Sequence, residues 1–266
     1  MLRRIKRIGR DLIFRLKSNT SQNPLQYQIG EFEAKLHWNS QETLRHAHGA
    51  FAEGEIAHEG VPIRLLKLGN SYDGLVDIGA HIGIYSVILG LLNYETPVYA
   101  YEPNPDNYEL LKRNFISNDL YGEASQTAVS ATGGEISFYT HPKRSVAHTA
   151  VPNNKEKNEY EQITVDSISL CDIFRTHELE CPFLKIDAEG LESELINKVI
   201  EYAKNHQISG FLELHIDKLD VSRSNIIERI EGNGIHIIEV KKELNETNPG
   251  YIFSNFDNHF LSRAQT

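Results

Sequence analysis

From Leu75 onward the polar positions thin out into a pattern of buried elements. Leu75-Val-Asp-Ile78 is an apolar strand broken only by Asp77, Gly79 and Gly83 bracket a turn, and Ile84 to Leu92 is an apolar run of helical length. Val98-Tyr-Ala-Tyr101 is a second strand, closed by Glu102. Asn104 and Pro105 then read as the cap and first residue of a helix that reaches about Ser117 and turns Leu110, Leu111 and Phe115 inward. Glu123 to Ser130 reads as a third strand, and Gly133-Gly134 leads into the alternation of Ile136 and Phe138, a hairpin pattern. Ile163, Val165 and Ile168 resume a strand, and Leu170, Ile173 and Phe174 suit a short helix. Phe183 to Ile186 is a further buried strand; Gly190 then opens a helix through Leu195, Ile196, Val199 and Ile200. After the strand Phe211 to His215 come a helix from Ser222 to Glu231 and strands at Ile235 to Val240 and Tyr251 to Phe256. The last two strands are joined without a helix, which implies an antiparallel pair. The predicted fold is α/β: a doubly wound, Rossmann-like, seven-stranded sheet with one antiparallel strand.

Upstream of Leu75 the pattern is less regular. Gln26 to Ser40 is mixed, and Glu53 to Leu68 reads as a helix with Ile56, Ile63, Leu66 and Leu68 inward. In Met1 to Lys17, Leu2, Ile5, Leu12, Ile13 and Leu16 can share one helical face, while seven Lys and Arg residues oppose the single acid Asp11. That segment carries +6 of a net charge of −10, leaving −16 for the rest. Such a helix suits the surface of an anionic membrane. The expected organisation is a basic segment and polar linker over 1–23 and one catalytic domain over 24–266. No stretch has the roughly 18 uninterrupted apolar residues of a membrane span, and the acidic balance argues against nucleic acid as a partner. Cys171 and Cys181 are too few for a disulfide framework, which suits a cytoplasmic protein, possible contact with the inner membrane face included. The segments Thr140 to Val151 and Asn153 to Gln162 are loop-like, the first expected to cover the substrate.

A buried strand, a glycine turn, a helix and a second strand ending in a carboxylate form the first half of a nucleotide-binding unit. The spacing D-x-G-x-x-x-G departs from the G-x-G-x-x-G of dinucleotide sites, since His81 and Ile84 stand where the second and third glycines belong. S-adenosylmethionine fits better: it offers an ammonium to Asp77, a carboxylate to the helix start near His81, and a ribose diol to Glu102. Asn104 lies beside that ribose position, and the backbone of Ala128 or Val129 is expected against adenine. A second cluster sits at two successive strand ends, Lys185, Asp187 and Glu189 in the first, Glu213 and His215 in the second.

These stretches, VDIGAHIGIYS, YAYEPNP, the AVS run at Ala128 to Gly133, LKIDAEGLE and LELH, resemble the FkbM family of methyltransferases, within the class I S-adenosylmethionine-dependent fold. The resemblance covers about Leu75 to His215. It implies O-methylation of a hydroxyl, often on a sugar, with Asp77, Gly79 and Gly83 as cofactor-loop positions, Glu102 as the ribose ligand, and Asp187 and Glu189 as a strand-end acidic pair. His81 departs from the family's usual asparagine.

The expected reaction is methyl transfer from S-adenosylmethionine to a hydroxyl of a sugar, glycan or glycosylated natural product. His215 or Asp187 would be the base, with Lys185 and Glu213 positioning substrate. A divalent cation held by Asp187, Glu189, Glu213 and His215 is an alternative. Two further alternatives are a nicotinamide-dependent oxidoreductase and a non-catalytic, cofactor-binding adaptor at a membrane surface.

Overall fold

Strands β1 (Phe14–Leu16), β2 (Leu25–Ile29) and β3 (Phe32–Leu36) open the fold as an antiparallel sheet in that order, and β4 (Glu55–Ile56) pairs antiparallel with β5 (Val61–Pro62). There follow β6 (Gly74–Ile78), helix α1 (Ile84–Leu92), β7 (Val98–Tyr101), α2 (Pro105–Ser117), β8 (Gly122–Ser125), β9 (Ala128–Ser130), β10 (Gly134–Thr140) and β11 (Glu161–Ser169). The chain continues through α3 (Leu170–Thr176), β12 (Pro182–Ile186), α4 (Glu192–Ala203), β13 (Ser209–Glu213), α5 (Arg223–Glu231), β14 (His236–Val240) and β15 (Gly250–Ser254). This computed structural model describes residues 14–16, 23–29, 31–44, 55–56, 61–62, 66–68, 72–141, 148–152, 159–240, 249–257 and 260–262.

The central sheet has seven strands in the order β14-β15-β13-β12-β6-β7-β8. All neighbours are parallel except β15, which runs against both β13 and β14. The expected single reversed strand is therefore β15. Strands β6, β12 and β13 are buried along their whole length because both faces are covered. On one face Leu75, Phe183 and Phe211 pack with Val87, Ile88 and Leu89 of α1, with Leu110 and Leu111 of α2, and with Leu25 and Leu36 of the N-terminal sheet. On the other, Val76, Ile78, Leu184, Ile186 and Leu212 pack with Ile173 of α3, Leu195 and Ile196 of α4, and Ile226 of α5. Each such fully buried side chain contributes roughly 1.5–3 kcal/mol of transfer free energy. The strand order reverses between β6 and β12, so the turns that leave these two strands lie side by side, where open α/β sheets bind ligands.

Several expectations change. Phe14–Leu16 is a strand whose backbone pairs with Ile29, Gln28 and Tyr27 of β2, where a helix over Met1 to Lys17 was expected. The alternation Phe-Arg-Leu suits a strand as well as it suits a helix edge; the remainder of that segment lies outside the described residues. The helix expected over Glu53 to Leu68 is instead interrupted by the β4–β5 pair, with Glu55 opposite Pro62. Pro62 lacks the N–H that a helix interior needs. The single third strand is two: β8 closes the edge of the central sheet, while β9 pairs with β11 in a separate sheet ordered β10-β11-β9. Within the two expected loops, Thr149 bridges to Tyr139 and Glu161 begins β11; residues 142–147 and 153–158 lie outside the description.

Candidate active site

Gly79, His81 and Gly83 all take positive φ, 70°, 53° and 85°, and so curl the chain from β6 into α1. At Gly79 the requirement is also steric: a Cβ there would lie 1.8 Å from the carbonyl oxygen of Asp187 in the neighbouring turn. The N–H groups of Gly79 and Ala80 both donate to the Tyr101 carbonyl, which ties the turn to the end of β7. Glu102 completes the connection. Its two carboxylate oxygens accept the backbone N–H groups of His81, at 2.8 Å, and Asn104, at 2.9 Å. Burial raises this carboxyl to about 7, against the pull of those two donors and of Lys185. Asn104 caps α2, accepting the N–H groups of Asp106 and Asn107 at 3.0 Å.

Asp77 is wholly buried beneath this turn. Ser86 Oγ donates to its Oδ2 at 2.6 Å, and Lys185 Nζ stands 3.5 Å from its Oδ1. The β6–β12 register places Lys185 directly opposite Asp77. Lys185, itself 3% exposed, also donates to the Gly79 carbonyl at 2.7 Å and to Asp187 Oδ2 at 3.2 Å. One ammonium therefore joins the cofactor-type turn to the tip of β12.

Beyond that tip, Glu189 and Gly190 take positive φ and deliver the chain into α4. His215, just past β13, is 4% exposed and surrounded by carboxylates. Its Nδ1 lies 2.8 Å from Glu192 Oε1; its Nε2 lies 3.3 Å from Glu189 Oε1 and 3.7 Å from Asp187 Oδ1. Burial alone would lower the His215 pKa, but the bonds to Glu189 and Glu192 raise it well above the ordinary value. Burial alone would likewise raise Asp187, yet Lys185 and His215 hold it below the usual carboxylate range. The Asp187 Oδ1 atom is buried and has no hydrogen-bond partner among the described residues. Glu189 is held by an ion pair with Lys218, and its carbonyl accepts Thr149 Oγ1 at 2.6 Å.

Of the residues singled out in the sequence, Asp77, Gly79, His81, Gly83, Glu102, Asn104, Lys185, Asp187 and His215 thus converge at the carboxyl ends of β6, β7, β12 and β13. Glu213 is the buried last residue of β13. Ala128 and Val129 are buried in β9, with Val129 packed into the core beside Val76, Ile78 and Tyr101. Ser86, Thr149, Glu192 and Lys218 escaped the sequence reading. Glu192 had a signal, since it closes the LKIDAEGLE stretch, but an acid in the first turn of a helix has an ordinary explanation in the helix dipole. Among the described residues, no helix is long and apolar enough to cross a membrane.

The donor set fits S-adenosylmethionine. Asp77 and Glu102 flank the glycine turn with the ammonium of Lys185 nearby, an acidic setting suited to a ligand with an ammonium and a ribose diol.

The chain is 24% identical over 212 residues to the hexuronic acid methyltransferase AglP of Haloferax volcanii, covering 78% of this chain and 82% of that one. It is 26% identical over 156 residues to the methyltransferase sdnD of Sordaria araneosa, covering 48% of this chain and 60% of sdnD's length. A crystal structure of methyltransferase FkbM from Methylobacillus flagellatus aligns at 15% identity and a TM-score of 0.47, over 69% of this chain and 44% of that one. The methyltransferase FkbM domain matches residues 77–246, most of the chain and all the turns described above. With its seven-stranded sheet and a single reversed strand, the protein belongs to the FkbM family of S-adenosylmethionine-dependent methyltransferases.

Proposed function

We propose that this methyltransferase acts on a hydroxyl group of a sugar or glycan, with Asp187 as the base. The observation that carries this reading is Asp187 Oδ1, a buried carboxylate oxygen with no hydrogen-bond partner among the described residues, at the strand tip next to the Gly79 turn. When bound, S-adenosylmethionine supplies an electrophilic methyl group. Gly79, His81 and Gly83 shape the turn that would hold its amino-acid end, Asp77 supports that turn from below through Ser86 and Lys185, and Glu102 would accept the ribose hydroxyls beside Asn104. The backbone of Ala128 or Val129 would border the adenine. At the acceptor side, Oδ1 of Asp187 takes the hydroxyl proton. His215 is less suited to that task because Glu189 and Glu192 favour its protonated form; its Nε2 instead faces Asp187 Oδ1 and Glu189 Oε1 at the acceptor side. Lys185 fixes the other Asp187 oxygen, and Glu213 borders the acceptor from β13. A carbohydrate acceptor gains support from the hexuronic acid activity of the Haloferax volcanii relative. Mass spectrometry of carbohydrate and glycolipid fractions treated with the purified protein and S-adenosylmethionine tests this reading: a methyl-sized gain is expected, and none in any fraction would overturn it.

Glu102 makes cofactor binding pH-dependent. A protonated carboxyl loses an acceptor site, and the free protein holds this group at about 7. Binding to the ionised form therefore releases a proton, and affinity rises with pH up to that value and then levels. Calorimetry with S-adenosylhomocysteine should show Kd falling by up to about tenfold per pH unit below the titration point. Glu102→Gln should weaken binding and flatten this slope; a wild-type slope in the variant would refute the assignment.

One observation favours a second reading. Asp187, Glu192 and His215 offer ligand atoms that all lie within 4.8 Å of one another, a set that could hold a divalent cation. It includes Glu192 in place of the Glu189 and Glu213 of the sequence-based set, and the imidazole would have to give up a carboxylate to ligate. Transfer that survives exhaustive chelation excludes it.

Peripheral membrane docking through the basic N-terminal segment is a separate proposal, motivated by its charge of +6. Because β1 pairs with β2, the informative truncation stops before Phe14. Loss of residues 1–13 should abolish co-sedimentation with anionic vesicles at low salt and leave transfer to a soluble acceptor intact. Equal sedimentation of truncated and full-length protein would refute docking.

A further inference from the structure

Glu192 is the first residue of α4, and its side chain is wholly buried. A buried carboxylate carries a desolvation cost that must be met by hydrogen bonds. Here both oxygens are engaged: Oε2 accepts the Gly190 N–H at 2.9 Å, and Oε1 lies 2.8 Å from His215 Nδ1. The first bond ties Glu192 to the Asp187–Gly190 turn; the second fixes the plane of the imidazole. With Nδ1 held on this side, the ring's only other polar atom, Nε2, must face Glu189 and Asp187. Glu192 itself has no exposure to the acceptor side.

We propose that Glu192 is a positioning residue for methyl transfer, which fixes His215 so that Nε2–H is presented to Asp187 and Glu189. The inference rests on the reading of Asp187 and His215 as the acceptor-side pair. It follows that Glu192 acts only through His215 and contributes nothing to cofactor affinity.

Two substitutions separate orientation from simple packing. In Glu192→Gln the amide oxygen can still accept from Gly190 while the amide NH₂ donates to a neutral Nδ1, so Nε2 keeps its proton and its direction. In Glu192→Ala the ring loses its fixed partner. The expected result is a kcat about 10²-fold lower in the Ala variant, with the Gln variant within roughly 5-fold of wild type and S-adenosylhomocysteine affinity unchanged in both. On a His215→Ala background, Glu192→Ala should cost less than about 3-fold more. Full kcat in Glu192→Ala, or an undiminished loss on the His215→Ala background, would overturn the proposal. So would recovery of Glu192→Ala by added Mg²⁺, which would make Glu192 a metal ligand. If Glu192→Ala does not fold, the Gln variant decides: a loss as deep as that of His215→Ala would also overturn it. Wild-type turnover in His215→Ala itself would instead refute the underlying site reading, so the two failures are distinct.

Discussion

Asp187→Asn is expected to lower kcat by roughly 10²–10⁴-fold while S-adenosylhomocysteine binds within a few-fold of wild type. The substitution is nearly isosteric and keeps an oxygen for Lys185 Nζ, now 3.2 Å from Oδ2. What it removes is the capacity of the buried Oδ1, which has no hydrogen-bond partner among the described residues, to take a proton. Single-turnover transfer measured beside calorimetry separates the two effects. Unchanged turnover would show that the acceptor needs no base at this position, and a parallel loss of cofactor binding would make Asp187 a cofactor ligand.

Lys185→Met should have the largest effect on stability. The lysine stem would be replaced by a similar apolar volume, but its ammonium stands between a wholly buried Asp77 and Asp187, and it donates to the Gly79 carbonyl. Removing one partner of a buried charge set leaves the others uncompensated, at a cost of roughly 3–5 kcal/mol. Urea unfolding of the variant should show that loss. Adding Asp77→Asn should recover part of it, because the second substitution removes one of the stranded charges. Wild-type stability in Lys185→Met would mean that water, not Lys185, satisfies these carboxylates.

The part of the site that was legible in the sequence is the part made by local chain geometry. The buried strand before Gly79, the glycine turn and the carboxylate after β7 are written within 28 residues, Leu75 to Glu102, and the Asn104–Pro105 cap is a local signal too. The direction of Asp77 was not legible. Read alone, it faces a ligand; in the fold the parallel pairing of β6 with β12 sets Lys185 opposite it, a contact across 108 residues. His215 was legible as a strand-end residue but not as a ring enclosed by carboxylates, since Glu189 and Glu192 reach it from another strand–helix connection. The transfer of β9 out of the central sheet had no local mark, because Ala128-Val-Ser130 pairs with β11, about forty residues later. The β4–β5 pair failed for the opposite reason: short apolar spacing around Ile56 fits a helix face until Pro62 is weighed.

The most direct measurement follows an isotopic label from the S-methyl carbon of S-adenosylmethionine into a carbohydrate acceptor, with wild-type protein and Asp187→Asn side by side. A methyl ether on a sugar hydroxyl survives alkali, whereas a methyl ester on a uronic acid does not. The account predicts alkali-stable label in a sugar-containing product with wild-type protein and almost none with the variant. Alkali-labile label, or equal labelling by the two proteins, would contradict it.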